Sequence, residues 1–381
     1  MSNAKLIGSP FLAIVDVDGK NLHRENCVYI VRDYMGPQGY HAYLLSSNIP
    51  EEYAKNLASY CPNASILYDV QNIEQYGNYD VIDVDNGGRI RIAYQDSSED
   101  NVLFITNQCN SNCIMCPDSN AVRKRISENR KEYLDHLIEL IPSDAIHLTI
   151  TGGEPTLLKW DFIDILKKCQ GKFTQTEFLM LSNGRTLANT AYRNAFLDAL
   201  PNYFRLAVPL YAASSDAHDL ITRAPGSFEQ TVTALKALQH RLNIEIRIVV
   251  MKETYTQLPK IASYLVSNFP HIKTVSIMGL ELLGNAAANR KNLWIDFHST
   301  AKYIEDAVHI LLTGGIDARI YNYPLCALPR SLWSISAKSI TGYKIRYPEK
   351  CNECIVKNLC GGFFFSTLHF ADIHVNPILE E

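Results

Sequence analysis

The sequence predicts an α/β protein built on a curved, incompletely closed barrel of six βα units. This barrel is placed at residues 101–315, after a β-rich unit (1–100) and before a cysteine-rich extension (316–381). Three observations predict this. From residue 102, short apolar runs alternate with segments of helical periodicity. Before residue 100, strand-like runs are broken by the turn signals Asp18-Gly19, Gly36-Pro37 and Asn86-Gly87-Gly88. After residue 315 come four of the ten cysteines.

In the first unit the strand-like runs are Phe11–Val17, Cys27–Arg32, Tyr40–Leu45, Val81–Val84 and Arg89–Tyr94, with a helix at Glu51–Ser59. No catalytic motif appears there, so it reads as a small domain that packs on the barrel or binds a partner. The barrel strands are placed at Val102–Thr106, Ala145–Thr151, Glu177–Ser182, Phe204–Leu210, Ile244–Val250 and Thr274–Leu280. Helices are expected at Arg123–Ile141, Trp160–Gln170, Ala188–Leu200, Phe228–Leu242, Thr256–Phe269 and Asp296–Leu312. Ser227-Phe-Glu-Gln230 reads as a capping box. Pro259 suits a first helical turn, and Gly314-Gly315 ends the last helix. Strands joined through helices must run parallel. Such sheets carry their sites at the C-terminal ends of the strands, and the unusual polar and glycine-rich stretches of residues 101–315 all follow directly after a strand.

Composition excludes several classes. A hydrophobic content of 47%, a charged content of 20% and a net charge of −4 suit a soluble globular chain and give no case for nucleic acid or an anionic membrane. No apolar stretch approaches a membrane span, and the N-terminus does not read as a signal peptide. Ten cysteines without a secretion signal point to a reducing cytoplasm, where thiols more often hold metals than disulfides. Cys27, Cys61 and Cys169 stand alone and read as inert.

The chemistry lies at the strand ends. Cys109, Cys113 and Cys116 follow the first barrel strand as Cys-x3-Cys-x2-Cys. Thiolates are soft ligands suited to an iron–sulfur cluster, and three of them leave one corner of a cubane free. Zinc, completed by a fourth ligand, is the alternative. After the second strand, Gly152-Gly153 permit close backbone approach, and Glu154 can accept from an ammonium group. Ser182-Asn183-Gly184 follows the third strand, Arg223 lies beyond the fourth, and Val250 ends the fifth. Glu281 follows the sixth and reads as an acid near the cavity. Cys326, Cys351, Cys354 and Cys360 form a second group that fits either a cluster or a closed structural zinc site.

These motifs resemble the radical S-adenosylmethionine (SAM) superfamily. That resemblance implies a [4Fe-4S] cluster on Cys109, Cys113 and Cys116. It implies SAM held by Gly152, Gly153, Glu154, Ser182, Asn183 and Arg223, with Met115 and Val250 near the adenine. Met115 stands where relatives often carry an aromatic residue, and Pro209 where many carry a serine. The late cysteines resemble SPASM or twitch extensions, which implies a second [4Fe-4S] cluster. The stretches NQCNSNCIMCPDSN, VPLYAASSDAHDLITRAPGSFEQT, MGLELLGNA, IYNYPLCALPRSLW and CGGFFFS further resemble the His-Xaa-Ser system maturases of the HxsC family. This implies modification of a precursor peptide or protein with His-Xaa-Ser repeats. A second radical SAM maturase, a small partner protein and an external electron donor are implied with it. A small-molecule substrate and a non-catalytic partner role are the competing readings.

Overall fold

The computed structural model describes residues 4–21, 23–32, 37–123, 130–340 and 342–380. Gly36 of one expected turn and residues 124–129 of the expected Arg123–Ile141 helix lie outside them.

The first sheet has seven strands, β1 (Lys5–Ile7), β2 (Phe11–Asp16), β3 (Cys27–Val31), β4 (Ala42–Ser46), β5 (Ser65–Val70), β6 (Val81–Val84) and β7 (Ile90–Tyr94), in the order β1-β5-β4-β3-β2-β6-β7. β2 to β5 pair in parallel, and β1, β6 and β7 are antiparallel at the margins. Parallel strands covered on both faces need continuous apolar runs rather than alternation. Accordingly Val28, Ile30 and Leu44 enter one core cluster, and Val31, Tyr43 and Leu45 another on the opposite face. Helix α1 (Glu51–Tyr60) covers that second face with Ala54 and Leu57. β1 and β5 were not expected from the sequence.

The second sheet is the open barrel. Its strands are β8 (Val102–Phe104), β9 (His147–Thr151), β10 (Glu177–Leu181), β11 (Tyr203–Pro209), β12 (Asn243–Val249), β13 (Thr274–Met278), β14 (Asp317–Tyr321) and β15 (Ser336–Ala337), lying side by side in sequence order. All are parallel. Around them run α2 (Asn120–Arg123), α3 (Arg130–Leu140), α4 (Trp160–Lys172), α5 (Thr190–Asp198), α6 (Ser215–Thr222), α7 (Ser227–Leu238), α8 (Leu258–Asn268), α9 (Gly284–Ala288), α10 (Arg290–Leu293) and α11 (Phe297–Thr313). Ile244, Ile246, Ile248, Val275 and Ile277 face the helices and pack with Leu235, Leu265 and Val308. Each such side chain contributes about 1.5–3 kcal/mol when fully buried. The intervening residues form the opposite, polar row. There the buried Glu245 accepts from Arg247 Nε at 2.7 Å and Ser276 Oγ at 2.8 Å.

Six strands were expected; β14 and β15 extend the same sheet into the segment assigned to the C-terminal extension. Asp317 and Arg319 break the apolar run of β14, and β15 is too short to carry a pattern. The Gly314-Gly315 stop works as expected, with Gly315 at φ 78° donating its N–H to Leu312 O at 3.1 Å. The capping box does not form. Ser227 is the first helical residue of α7, and the orphan amides go to Asp219, whose Oδ1 accepts from Phe228 N at 2.8 Å and Oδ2 from Gly226 N at 2.5 Å. Left-handed Arg223 and Gly226 turn the chain back so that this carboxylate reaches the next helix. Gln230 instead accepts from Arg185.

Beyond the sheet, β16 (Ile345–Arg346) pairs with β17 (Phe363–Phe364), and α12 (Phe365–Phe370) follows. Among the described residues, no helix is long and apolar enough to cross a membrane.

Candidate functional site

β8 leads into the loop that carries Cys109, Cys113 and Cys116, all half-buried free thiols. Burial pushes Cys113 up to about 12, and the Cys109 and Cys116 sulfurs push in the same direction, so the three lie within electrostatic reach of one another. The loop is fixed from several sides. Asn112 N and Ile114 N donate to the Thr222 and Ile221 carbonyls at the end of α6. Asn285 Nδ2 donates to Asn112 Oδ1 and Cys113 O, both at 3.2 Å, and Asn289 Nδ2 donates to Ile114 O at 2.8 Å. Asn183 Nδ2 reaches Asn110 Oδ1 at 2.6 Å. Arg123 and Arg185 donate to the Ser111 and Asn110 carbonyls.

The glycines after β9 have a protein partner. A Cβ on Gly152 would lie 2.4 Å from Thr106 O, and one on Gly153 would lie 2.2 Å from Gln108 O. Gly153 N and Glu154 N donate to Thr106 O and Gln108 O, each at 2.7 Å. The pair therefore docks the exit of β9 onto the backbone that runs into Cys109. Glu154 is fully buried. Its Oε1 accepts from Thr156 N at 3.1 Å, Thr156 Oγ1 at 2.6 Å and Ser182 Oγ at 2.8 Å, and Oε2 accepts from Asn183 N at 2.7 Å. Burial pushes its pKa up, against those bonds. Oε2 accepts that one hydrogen bond and retains a second lone pair. Glu154, Ser182 and Asn183 are thus brought together with the cysteine loop.

Other expected residues are placed differently. Arg223 is exposed at the end of α6, where residues 221 and 222 grip the cysteine loop. Met115 is buried in an apolar cluster with Tyr211, Ile221, Met251 and Leu282. Val250 is 2% exposed and part of the barrel core. Glu281 is not a free acid; it pairs with Lys344 at 3.3 Å. On α6, His218 is buried and Asp219 is half-buried. His218 is 2% exposed, accepts from Tyr211 N at 3.2 Å and stacks on the Tyr211 ring at 5.7 Å. Burial lowers its pKa to about 4. The sequence reading missed Arg123, Arg185, Tyr211, Asn285 and Asn289. Arg185 carries a local hint, since it directly follows the Ser182-Asn183-Gly184 turn.

The second cysteine group also assembles. Cys326, Cys351, Cys354 and Cys360 line one cavity of about 20 Å³, closed by Pro324, Leu325, Tyr347, Phe363 and Val375. Cys360 Sγ accepts from Leu325 N and Gly362 N, both at 3.4 Å. Burial pushes Cys351 up to about 11, reinforced by the other three sulfurs. Among the described residues no three His, Cys, Asp or Glu side chains close on a single-ion position. Each group is therefore a set of neighbouring thiols and not a finished mononuclear site. The donor chemistry of the barrel loop, with three soft sulfurs and adjacent guanidinium, fits an anionic iron–sulfur cubane.

An open parallel α/β barrel with a three-thiol loop at its first strand defines a class of cluster-bearing domain. Residues 103–265 match the model of the Radical SAM superfamily. Among curated proteins, the chain is 28% identical over 200 residues to the mycofactocin maturase MftC of Mycobacterium tuberculosis (strain CDC 1551 / Oshkosh), and 27% identical over 201 residues to that of Mycolicibacterium smegmatis. Each match covers 52% of this chain and 47% of the relative, so the chain spans about half the length of these relatives. Among solved structures it is similar to Streptococcus suis SuiB bound to S-adenosylmethionine, with TM-score 0.41 and 14% identity over 57% of this chain and 46% of that one. It is also similar to anSMEcpe with bound AdoMet, with TM-score 0.44 and 16% identity over 57% and 60% of the two chains.

Proposed function

We propose that this protein is a radical SAM peptide maturase. The observation that carries the reading is the loop of Cys109, Cys113 and Cys116, locked to Glu154, Ser182 and Asn183 at the two neighbouring strand ends. Similarity to MftC, whose name describes a maturase, supports a peptide as substrate. The HxsC-like stretches support the finer reading that the substrate is a His-Xaa-Ser precursor, acting with a second maturase and a small partner protein. When bound, the cluster, given one electron by an external donor, and SAM would supply radical chemistry that removes hydrogen from an unactivated C–H bond.

The chain's own residues bind, orient and exclude. Cys109, Cys113 and Cys116 hold the cluster. Glu154, its orientation fixed by Thr156, Ser182 and Asn183, would accept from the SAM ammonium. Asn183, hydrogen-bonded to the cysteine loop, and the exposed Arg223 at the end of α6 would serve the ribose and carboxylate. Met115, Tyr211 and Met251 lie together in the buried apolar cluster beside the loop. Cys326, Cys351, Cys354 and Cys360 hold a second cluster that anchors the C-terminal segment across the barrel, where Thr367 Oγ1 and Lys344 grip the loop after β13.

Anaerobic reconstitution followed by mass spectrometric assay for 5′-deoxyadenosine and metal analysis tests this. The expected result is SAM cleavage under strong reductant with about eight irons per chain. About four irons with one zinc assigns the C-terminal group to zinc. No cleavage by fully loaded protein overturns the enzymatic reading.

A further inference from the structure

Between Cys109 and Cys113 the chain reads Asn110-Ser111-Asn112, and two arginines from different elements meet on this stretch. Arg123, at the end of α2, donates to the Ser111 carbonyl. Arg185, from the loop after β10, donates to the Asn110 carbonyl and to Ser111 Oγ at 3.1 Å. Arg185 is braced from behind, its Nε on Gln230 Oε1 at 2.7 Å and its backbone N–H on Asn183 Oδ1 at 3.0 Å. Its contacts are all with polar groups of the loop and its supports.

Arg123 is placed differently. Its Nε is buried without a hydrogen-bond partner, and among the described residues no carboxylate forms an ion pair with it. Its guanidinium lies within electrostatic reach of the Cys116, Cys109 and Cys113 sulfurs. Arg123 is half-buried as a whole, and a guanidinium with an occluded, unpaired Nε and no acid partner is favoured when an anion shares its site. The anion available here is the one that three thiolates and a cubane would create.

We propose that Arg123 is a positioning residue that compensates the charge of the barrel cluster and raises its reduction potential, whereas Arg185 fixes only the shape of the loop. The inference rests on the assignment of a [4Fe-4S] cluster to Cys109, Cys113 and Cys116. One added electron makes the cluster more negative, so a fixed neighbouring cation stabilises the reduced form over the oxidised one. Cluster potentials respond to net charge and to hydrogen bonds at the sulfurs.

The test is a redox titration of the anaerobically reconstituted full chain, followed by electron paramagnetic resonance. The signal that changes on adding SAM identifies the barrel cluster. In Arg123→Gln the ratio of reduced to oxidised barrel cluster at a fixed potential is expected to fall about tenfold, which is about 59 mV for one electron. Arg123→Lys is expected to restore most of it. Arg185→Gln is expected to lower iron content while leaving the midpoint of the remaining cluster unchanged. If Arg123→Gln does not load, Arg123→His decides. Its midpoint is expected to drop further than the wild type's between acid and alkaline buffer, as the imidazole loses its charge. A wild-type midpoint in Arg123→Gln, or in Arg123→His at both pH values, overturns the proposal. A wild-type protein without any SAM-responsive signal overturns instead the cluster assignment beneath it.

Discussion

The barrel loop and the C-terminal extension each gather cysteines, and they surround them with opposite materials. Cys109, Cys113 and Cys116 come from one loop held by polar side chains, namely Asn183, Arg123, Arg185, Asn285 and Asn289. Cys326, Cys351, Cys354 and Cys360 come from separated segments and close on a small, mostly apolar cavity. Half-buried thiols backed by cations and amides suit a centre that exchanges electrons and keeps one position for a ligand. Four thiols in a dry pocket suit a centre whose coordination is complete. The same residue type is thus set in two environments that differ in count and in the polarity of the surroundings.

The largest effect expected from this difference is a crossed loss of function. Cys113→Ala should abolish 5′-deoxyadenosine formation while retaining about half of the iron. Cys351→Ala should lose the other half yet still cleave SAM in the absence of peptide. Iron analysis and a cleavage assay on both variants check this. The contrast fails if either substitution empties both groups.

A smaller effect sharpens how the barrel loop is supported. Gly153 lies so near the cysteine lead-in that an alanine methyl would meet Gln108 O at 2.2 Å and Asn107 O at 2.7 Å. Backbone atoms on both sides must move, so Gly153→Ala is expected to cost about 1–3 kcal/mol. The barrel cluster should be lost and the C-terminal group should keep its metal. Denaturation midpoints and iron content measure the two consequences separately. An unchanged barrel cluster would remove the docking role assigned to Gly153.

The parts of this arrangement that were legible in the sequence are those written in local pattern. Apolar residues at alternate positions marked the central strands because one face packs on the helices while the other forms the polar row, as at Ile244–Val250 and Thr274–Leu280. The thiol spacing and Glu154 stood out because their chemistry is tied to short spacing. β14 stayed hidden because Asp317 and Arg319 interrupt it, and Ser227 was misread as a cap because the true partner, Asp219, is brought back by two left-handed residues. Arg123, Asn285 and Asn289 were invisible for a different reason. Each is an unremarkable polar residue in the chain and gains meaning only through a long-range contact, such as that of Asn285 with Asn112 and Cys113. The glycines were recognised as a close approach, but sequence could not say that the approaching group is backbone and not ligand.

The smallest expected effect concerns acid, and it separates the two cysteine groups once more. His218 lies beneath the barrel loop on α6, the helix whose last carbonyls hold Asn112 and Ile114. Burial lowers its pKa to about 4, while an unfolded histidine titrates near about 6.5. The folded state therefore keeps the imidazole neutral, with Nδ1 accepting from Tyr211 N, at pH values where the unfolded chain already takes up a proton. Its contribution is complete above about pH 6.5 and is lost progressively as pH falls towards 4. By pH 5 the loss amounts to about 2 kcal/mol for this single group. Denaturation midpoints of cluster-free protein should fall over that range, and His218→Gln should flatten the fall. Hydrogen exchange should report loosening first in residues 109–116, with residues 350–360 unchanged at the same pH. Equal loosening of both segments would mean that the acid response is not carried by His218 and that the two groups are coupled more tightly than their separate linings imply.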